Sequence, residues 1–94
     1  MILAVWIIAC APKEPNPVGL MGQDIFKKYC VLCHGIDGKL GLNGAKDITV
    51  SQLTGAERIA LITKGKNTMT PFEGILTPEQ IQAVAAYTLT LKSN

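Results

Sequence analysis

The sequence of 94 residues predicts one all-α domain, and three observations support that prediction. Apolar residues recur at spacings of three and four in three stretches, whereas no stretch alternates convincingly as a half-buried strand would. Helix-capping residues border two of these stretches. Glycine stands at every third position from 35 to 44, which is unsuited to a regular helix or strand and predicts an irregular connection there.

The first predicted helix covers about residues 23–33, directly after Gly22. Its apolar residues are spaced so that they share one face of a helix. These residues are Ile25, Phe26, Tyr29, Cys30 and Cys33.

The second predicted helix covers about residues 55–64. Thr54 and Glu57 form a Thr-x-x-Glu capping box, in which each side chain can bond the other residue's free backbone N–H. Ile59 and Ile62 mark the apolar face of this helix. Gly65 follows as a suitable stop.

The third predicted helix has the clearest start. Thr77 is its N-cap, Pro78 takes the first helical position, and Gln80 completes a second capping box. Residues suited to a buried face then follow at helical spacing, with Tyr87 on the flank. They are Ile81, Val84, Ala85, Thr88 and Leu91.

The end of the first predicted helix carries a C-x-x-C-H motif, formed by Cys30, Cys33 and His34. Two thiols at this spacing can reach the two vinyl groups of one haem, and the adjoining histidine then lies under the iron. A structural zinc site needs four ligands, usually with a second Cys/His pair, and this chain has one histidine. A thioredoxin-like dithiol would require a neighbouring strand. The motif therefore predicts one covalent c-type haem with its iron.

Met69 is the candidate for the second axial ligand of the iron. Met21 lies too close to the motif in sequence to reach the opposite face, whereas Met69 lies in the loop between the second and third helices. Pro71 stiffens that loop and Phe72 can seal it against the haem. The alternative for a single methionine in such a loop is core packing.

The N-terminus predicts export. Residues 1–9 are uninterruptedly apolar but too few to cross a bilayer, which needs about 20. The tetrapeptide Ile7-Ile8-Ala9-Cys10 resembles a bacterial lipobox, which implies that Cys10 is lipidated and that the preceding signal peptide is removed. No Lys or Arg precedes the apolar run, so the usual positive start of such a signal is missing. The alternative to lipidation is an ordinary signal peptide in which Cys10 is a chance cysteine. Residues 10–21, with three prolines, are then a lipid-anchored or disordered linker to a domain at 22–94.

Residues 22–91 resemble a small bacterial class I cytochrome c. The shared pattern is an aromatic residue four positions before the first cysteine, the C-x-x-C-H-G motif, a methionine near a proline, and a tyrosine in the last helix. The resemblance implies three to four helices and glycine-rich loops around one haem with an exposed edge. It also implies that the first and last helices cross closely at Gly22, Phe26, Val84 and Tyr87.

The chain departs from the family pattern at two points. Thr70 separates Met69 from Pro71, whereas the family usually has the proline directly after the methionine. The family also often has a proline after the histidine, whose carbonyl accepts the imidazole N–H. None is present between Gly35 and Met69, and we expect a carbonyl of loop 40–44 to take that role.

These features together predict a single-electron carrier rather than an enzyme. With His34 and Met69 both bound, the iron would cycle between Fe(III) and Fe(II) without an open position for a substrate. We expect a monomer on the periplasmic side of a bacterial membrane, with redox proteins docking at the exposed haem edge. A net charge of +2 with scattered lysines gives no reason to expect nucleic-acid binding. The alternatives are a peroxidase-like haem enzyme or sensor with an open distal site, and a fixed haem subunit of a respiratory complex.

Overall fold

The computed structural model describes residues 18–92 and contains four α-helices. They are α1 (Val18–Tyr29), α2 (Val31–His34), α3 (Gly55–Lys64) and α4 (Pro78–Thr88). Short 3₁₀ turns at Leu42–Gly44 and Ile48–Val50 interrupt the long connection between α2 and α3. The described residues include no strand beyond two isolated β-bridges, so the prediction of an all-α fold is confirmed. Cys10, residues 1–9 and most of the predicted linker lie outside the described residues.

The first predicted helix begins earlier in the structure than expected and is interrupted near its C-terminal end. It begins at Val18 rather than near residue 23, so residues 18–21 of the segment predicted as a linker are helical. It is interrupted at Cys30, whose φ of −114° departs from ideal helical geometry. Hydrogen bonds still run from Cys30 N to Phe26 O (2.9 Å) and from His34 N to Cys30 O (3.0 Å). α2 therefore continues the direction of α1 and ends at His34, directly before Gly35, where φ is +81°.

The other two predicted helices are confirmed, together with their capping boxes. Thr54 Oγ1 accepts from Glu57 N at 3.1 Å, and Glu57 Oε1 accepts from Thr54 N at 2.8 Å. The same pair of bonds joins Thr77 and Gln80 at the start of α4. α4 ends at Thr88, short of Leu91, which nevertheless packs against the core.

Helices α1 and α4 cross in close contact at Gly22. A Cβ atom there would lie 2.9 Å from Tyr87 Cβ and would collide with the Ala83 backbone, so only glycine permits this approach. Beside the crossing, the rings of Phe26 and Tyr87 lie 5.4 Å apart, and Phe26 and Val84 are fully buried. This is the crossing that the family resemblance implied. It fixes the position of α1, and hence of the C-x-x-C-H motif at its end.

Candidate functional site

An apolar cavity of about 310 Å³ opens beside this core. That volume is in the range of small-molecule and cofactor sites. Its walls come from the end of α1, α2, loop 42–53, α3, loop 66–72 and the end of α4. Apolar and aromatic side chains make up much of the lining: Phe26, Tyr29, Leu42, Ile48, Leu53, Leu61, Ile62 and Phe72. All four residues predicted to hold the haem also line it, namely Cys30, Cys33, His34 and Met69.

His34 is oriented by a backbone carbonyl. Its Nδ1 lies 3.1 Å from the carbonyl oxygen of Lys46. Because a carbonyl oxygen can only accept, Nδ1 must carry the hydrogen, which leaves the lone pair of Nε2 free for a metal. This arrangement fixes the ring and makes the imidazole a stronger donor to iron.

The expected location of that carbonyl, loop 40–44, was wrong by two residues. Within that loop the Leu42 carbonyl is already used, because it accepts from Ala45 N at 3.1 Å to close the 3₁₀ turn. Asn43 takes a left-handed conformation (φ 57°) inside the turn. The chain leaves the turn in an extended conformation at Ala45, and the next carbonyl is the one that reaches His34.

The two thiols of the motif are free and lie at the same end of the cavity. Burial, with a smaller contribution from neighbouring Cys33, raises the pKa of the Cys30 thiol to about 11. Cys30 is therefore a neutral thiol at physiological pH, in surroundings that suit an uncharged thioether. Asn43 Nδ2 lies 4.0 Å from Cys33 Sγ, which places this asparagine at the edge of the site.

Met69 reaches the cavity from a tightly folded loop. At the end of α3, Gly65 takes a φ of +70°, and a Cβ there would lie 2.8 Å from Pro71 N. The next residues turn back sharply, with Met69 N donating to Lys66 O at 2.9 Å. Thr68 Oγ1 donates to the Asn43 carbonyl at 2.9 Å, which ties this loop to the 42–44 turn across the cavity.

The donor set of the cavity fits a c-type haem. It offers two thiols from one motif and one thioether sulfur from another part of the chain. It also offers Nε2 of an imidazole whose ring is held in place by the hydrogen bond of Nδ1. These are the groups that attach and ligate this cofactor, and the apolar walls suit its flat macrocycle. Phe72 is buried and packs edge-on against Tyr29 at 5.9 Å, so the two rings together form part of the apolar wall.

One lining residue, Arg58, was absent from the sequence prediction. It lies on α3, exposes only 7% of its surface and donates hydrogen bonds to three partners. The sequence feature that indicated its burial was its position four residues before Ile62, which places Arg58 on the buried face of the helix. Charged residues on a helix usually face solvent, and sequence reasoning alone therefore assigned that face to the isoleucines.

Comparison with known proteins gives one family match and several relatives. The family described as "Cytochrome C oxidase, cbb3-type, subunit III" matches residues 19–87. Cytochrome c6 of Leptolyngbya boryana is 36% identical over 74 residues, covering 72% of this chain and 86% of the relative. Cytochrome c6 of Nostoc sp. is 42% identical over 74 residues, covering 72% of this chain and 66% of the relative. Cytochrome c6 of Rippkaea orientalis is 35% identical over 95 residues, covering 95% of this chain and 85% of the relative.

Proposed function

The chain belongs to the class I cytochromes c, and on that premise we propose that the C-x-x-C-H motif at 30–34 and Met69 hold its haem. As a member of this family it carries one covalently bound haem c with its iron and transfers single electrons. The observation that supports the assignment of residues is their convergence. One apolar cavity is lined by groups at the end of a helix and also by Met69, which lies in a loop 35 positions after His34.

Each residue has a distinct part in this proposal. Cys30 and Cys33 form the two thioether bonds, and His34 Nε2 is the proximal ligand while the Lys46 carbonyl holds Nδ1. Met69 supplies the distal thioether sulfur. When bound, haem supplies an iron that passes between the ferric and ferrous states. Thioether ligation and the apolar lining both favour the ferrous state, and thus raise the reduction potential.

Ligation by Met69 also separates an electron carrier from an enzyme. A peroxidase-like enzyme or a gas sensor requires an open distal position, which a bound methionine removes. We therefore assign no catalytic residue to this chain. The fold holds Met69 in the cavity through bonds on both sides of it in the loop, which supports ligation over core packing.

The Met69→Ala variant tests this assignment. The oxidised parent should show the weak absorbance band at the red end of the visible spectrum that marks methionine–iron coordination. Met69→Ala should lose the band and bind added imidazole or cyanide at least tenfold more tightly than the parent. Met21→Ala is the matched control, because Met21 packs against the core and does not line the cavity. A high-spin spectrum in the parent, or equal ligand affinity in Met69→Ala, would reject the assignment and favour the enzyme.

Redox partners dock, in this proposal, at the mouth of the cavity. Leu42 and Leu53 line the cavity yet remain 47% and 39% exposed, so they form an apolar rim beside the haem edge. Lys46 and Lys66 line the same cavity and are exposed. A redox partner with an apolar patch and an acidic margin suits such a rim, in a transient interface below about 1,200 Å² formed by a monomer.

We further propose that the domain is exported and held at the periplasmic face of a membrane by a lipid on Cys10. Residues 1–9 are the cleaved signal peptide in this proposal, and residues 10–17 link the anchor to the start of α1 at Val18. Within 18–92, no helix has the length and apolar character to cross a bilayer. Cys10→Ser should move the protein from the membrane fraction to the soluble fraction, and mass spectrometry should find a diacylglyceryl group on the parent. A parent that is soluble and lacks lipid would end this proposal.

A fixed haem subunit of a respiratory complex is the second candidate. It is favoured by the oxidase-subunit description of the matching family together with the lipobox-like segment at Cys10. Native electrophoresis of detergent-solubilised membranes separates the two candidates. A free carrier migrates as a single small polypeptide with its bound detergent, whereas a fixed subunit comigrates with an oxidase.

A further inference from the structure

The 3₁₀ turn at Leu42–Gly44 contains the one Asn-Gly pair of the sequence, Asn43 and Gly44. Both residues take left-handed backbone conformations, with φ of +57° and +80°. Glycine and asparagine tolerate this region better than other residues, so the pair suits the turn. An asparagine followed by glycine is also the pair in which a side-chain amide reacts most readily with its own backbone.

That reaction needs only the chain and water. Gly44 N attacks Cγ of Asn43 and forms a C–N bond, while the side-chain amide leaves as ammonia and takes the proton of Gly44 N–H. Water then opens the five-membered imide at either of its two carbonyl carbons. One product has aspartate at position 43, and the other has isoaspartate, in which the main chain runs through the side-chain carbon. No electron is transferred, and each product carries a carboxylate in place of the neutral amide.

Both reacting groups are accessible. Asn43 and Gly44 are exposed, so water reaches them. A Cβ atom at Gly44 would meet nothing within 4 Å, so the surroundings of the attacking residue are open. The hydrogen-bonding contact that the Asn43 amide makes within residues 18–92 is a long one, from Nδ2 to Cys33 Sγ at 4.0 Å. The leaving group is therefore held only weakly.

The folded turn delays the reaction. The ψ of 31° at Asn43 directs Gly44 N away from the side chain, so the ring can close only after rotation about this bond. Two hydrogen bonds oppose the rotation. Ala45 N donates to Leu42 O at 3.1 Å, and Thr68 Oγ1 donates to Asn43 O at 2.9 Å. The second bond is exposed and contributes little energy, so we expect the turn to open transiently.

We propose that Asn43 deamidates spontaneously through Gly44 N whenever this turn opens. The turn is then a self-modification site, and the methionine loop controls its rate through Thr68. The reaction itself does not depend on the proposed function, whereas its effect on the cofactor rests on the proposed haem site.

Asn67 provides a comparison within the same cavity wall. Like Asn43 it is exposed and left-handed, with a φ of +56°. The residue that follows it is Thr68, whose β-branched side chain crowds the backbone nitrogen and stiffens the chain there. The two asparagines thus share exposure and conformation and differ in the residue that follows. Asn67 should stay intact while Asn43 converts.

Conversion would change the haem edge in two ways. The new carboxylate stands beside Cys33 Sγ, one of the two proposed thioether sulfurs, and a negative charge there favours ferric iron and lowers the reduction potential. Isoaspartate also adds one carbon to the main chain and displaces the carbonyl that accepts from Thr68, which loosens the methionine loop. The carrier therefore becomes a weaker oxidant as it ages.

The first test is incubation of the haem-loaded parent at neutral and mildly alkaline pH, followed by peptide mapping with mass spectrometry. The Asn43 peptide should gain one mass unit and separate into two forms at least tenfold faster than the Asn67 peptide is converted. Conversion should accelerate with pH, because the attack requires loss of the Gly44 N–H proton. Equal conversion at the two asparagines, including none at either, would overturn the proposal.

Gly44→Ala tests the attacking residue. The added methyl group crowds the nitrogen and should slow conversion of Asn43 at least tenfold. The variant should fold, because its Cβ meets nothing within 4 Å and the cost is limited to the strain of the left-handed backbone. An unchanged rate would mean that Gly44 N is not the nucleophile and would overturn the proposal.

Thr68→Val tests the control by the methionine loop. Loss of its bond to Asn43 O should raise the rate of conversion about two- to fivefold, as expected for one exposed hydrogen bond. The matched control is Thr90→Val, which removes the exposed bond from Thr90 Oγ1 to Tyr87 O and should leave the rate unchanged. Equal rates in the two variants would overturn the role of Thr68.

Asn43→Asp tests the redox consequence, because it supplies the charge of the product and tolerates the left-handed backbone. Its midpoint potential should shift about threefold towards the ferric state, which is roughly 30 mV for one electron. Gln82→Glu adds the same charge on the exposed face of α4, outside the cavity lining, and should shift the potential far less. Equal shifts would overturn this consequence. The methionine–iron band in the same samples reports the haem site separately, so intact Asn43 leaves the proposed function standing, and an absent band leaves the mass spectra standing.

Discussion

The two sides of the cavity are built in different ways. His34 lies at the end of a helix, with Cys30 and Cys33 in the same turn, and both its backbone groups take part in hydrogen bonds. Met69 lies in a loop, and hydrogen bonds of its neighbours hold the loop in place. The histidine side is therefore positioned by local helix geometry and, in the proposed site, would also be held by the two thioether bonds, whereas the methionine side depends on loop conformation. Ligand exchange should occur on the methionine side.

Gly65→Ala should disturb the methionine loop more than any other substitution considered below. The φ of +70° at this position is strained for any side chain, and the added Cβ would also collide with Met69 O and lie 2.8 Å from Pro71 N. We expect a loss of about 3 kcal/mol in the free energy of unfolding, together with a weakened methionine–iron band. Denaturant unfolding and the absorbance spectrum measure the two effects.

Gly74→Ala is the control for Gly65→Ala. Gly74 also has a positive φ (+86°), but an added Cβ would meet nothing within 4 Å. It should cost only the conformational strain, about 1–2 kcal/mol, and keep the band. If the two variants lost stability equally and both kept the band, contact between Gly65 and the methionine loop would not hold Met69 in place.

The same contrast explains how much the sequence could predict. The ends of α3 and the start of α4 follow from neighbouring residues, because a capping box needs only Thr54 and Glu57, or Thr77 and Gln80. The C-x-x-C-H motif is likewise local. The Lys46 carbonyl was misplaced because it lies 12 residues beyond His34, after a left-handed turn that side-chain identity does not specify. Arg58 was missed because its burial depends on loop 51–53 and α4 closing over it.

Asn43 is the residue that joins the two sides. Its side-chain amide approaches Cys33 Sγ, and its carbonyl accepts the hydrogen bond from Thr68. This contact spans 25 residues in sequence and is exposed, so its energy should be small. It is nevertheless the link through which the rigid histidine side can steady the methionine loop.

Thr68→Val tests the difference between the two sides of the cavity with a smaller expected effect than Gly65→Ala. Losing one exposed hydrogen bond should cost about 0.5–1 kcal/mol. Because the bond restrains the methionine loop, cyanide or imidazole should bind the ferric protein up to about fivefold faster. The methionine–iron band should be retained when no ligand is added. Thr90→Val removes a comparable exposed bond, from Thr90 Oγ1 to Tyr87 O, at a residue that neither lines the cavity nor contacts the methionine loop through this bond, and should change stability without changing the binding rate. Stopped-flow mixing measures the rates. Equal acceleration in both variants would mean that ligand entry follows global stability rather than the loop, and the proposed asymmetry between the two sides would then be wrong.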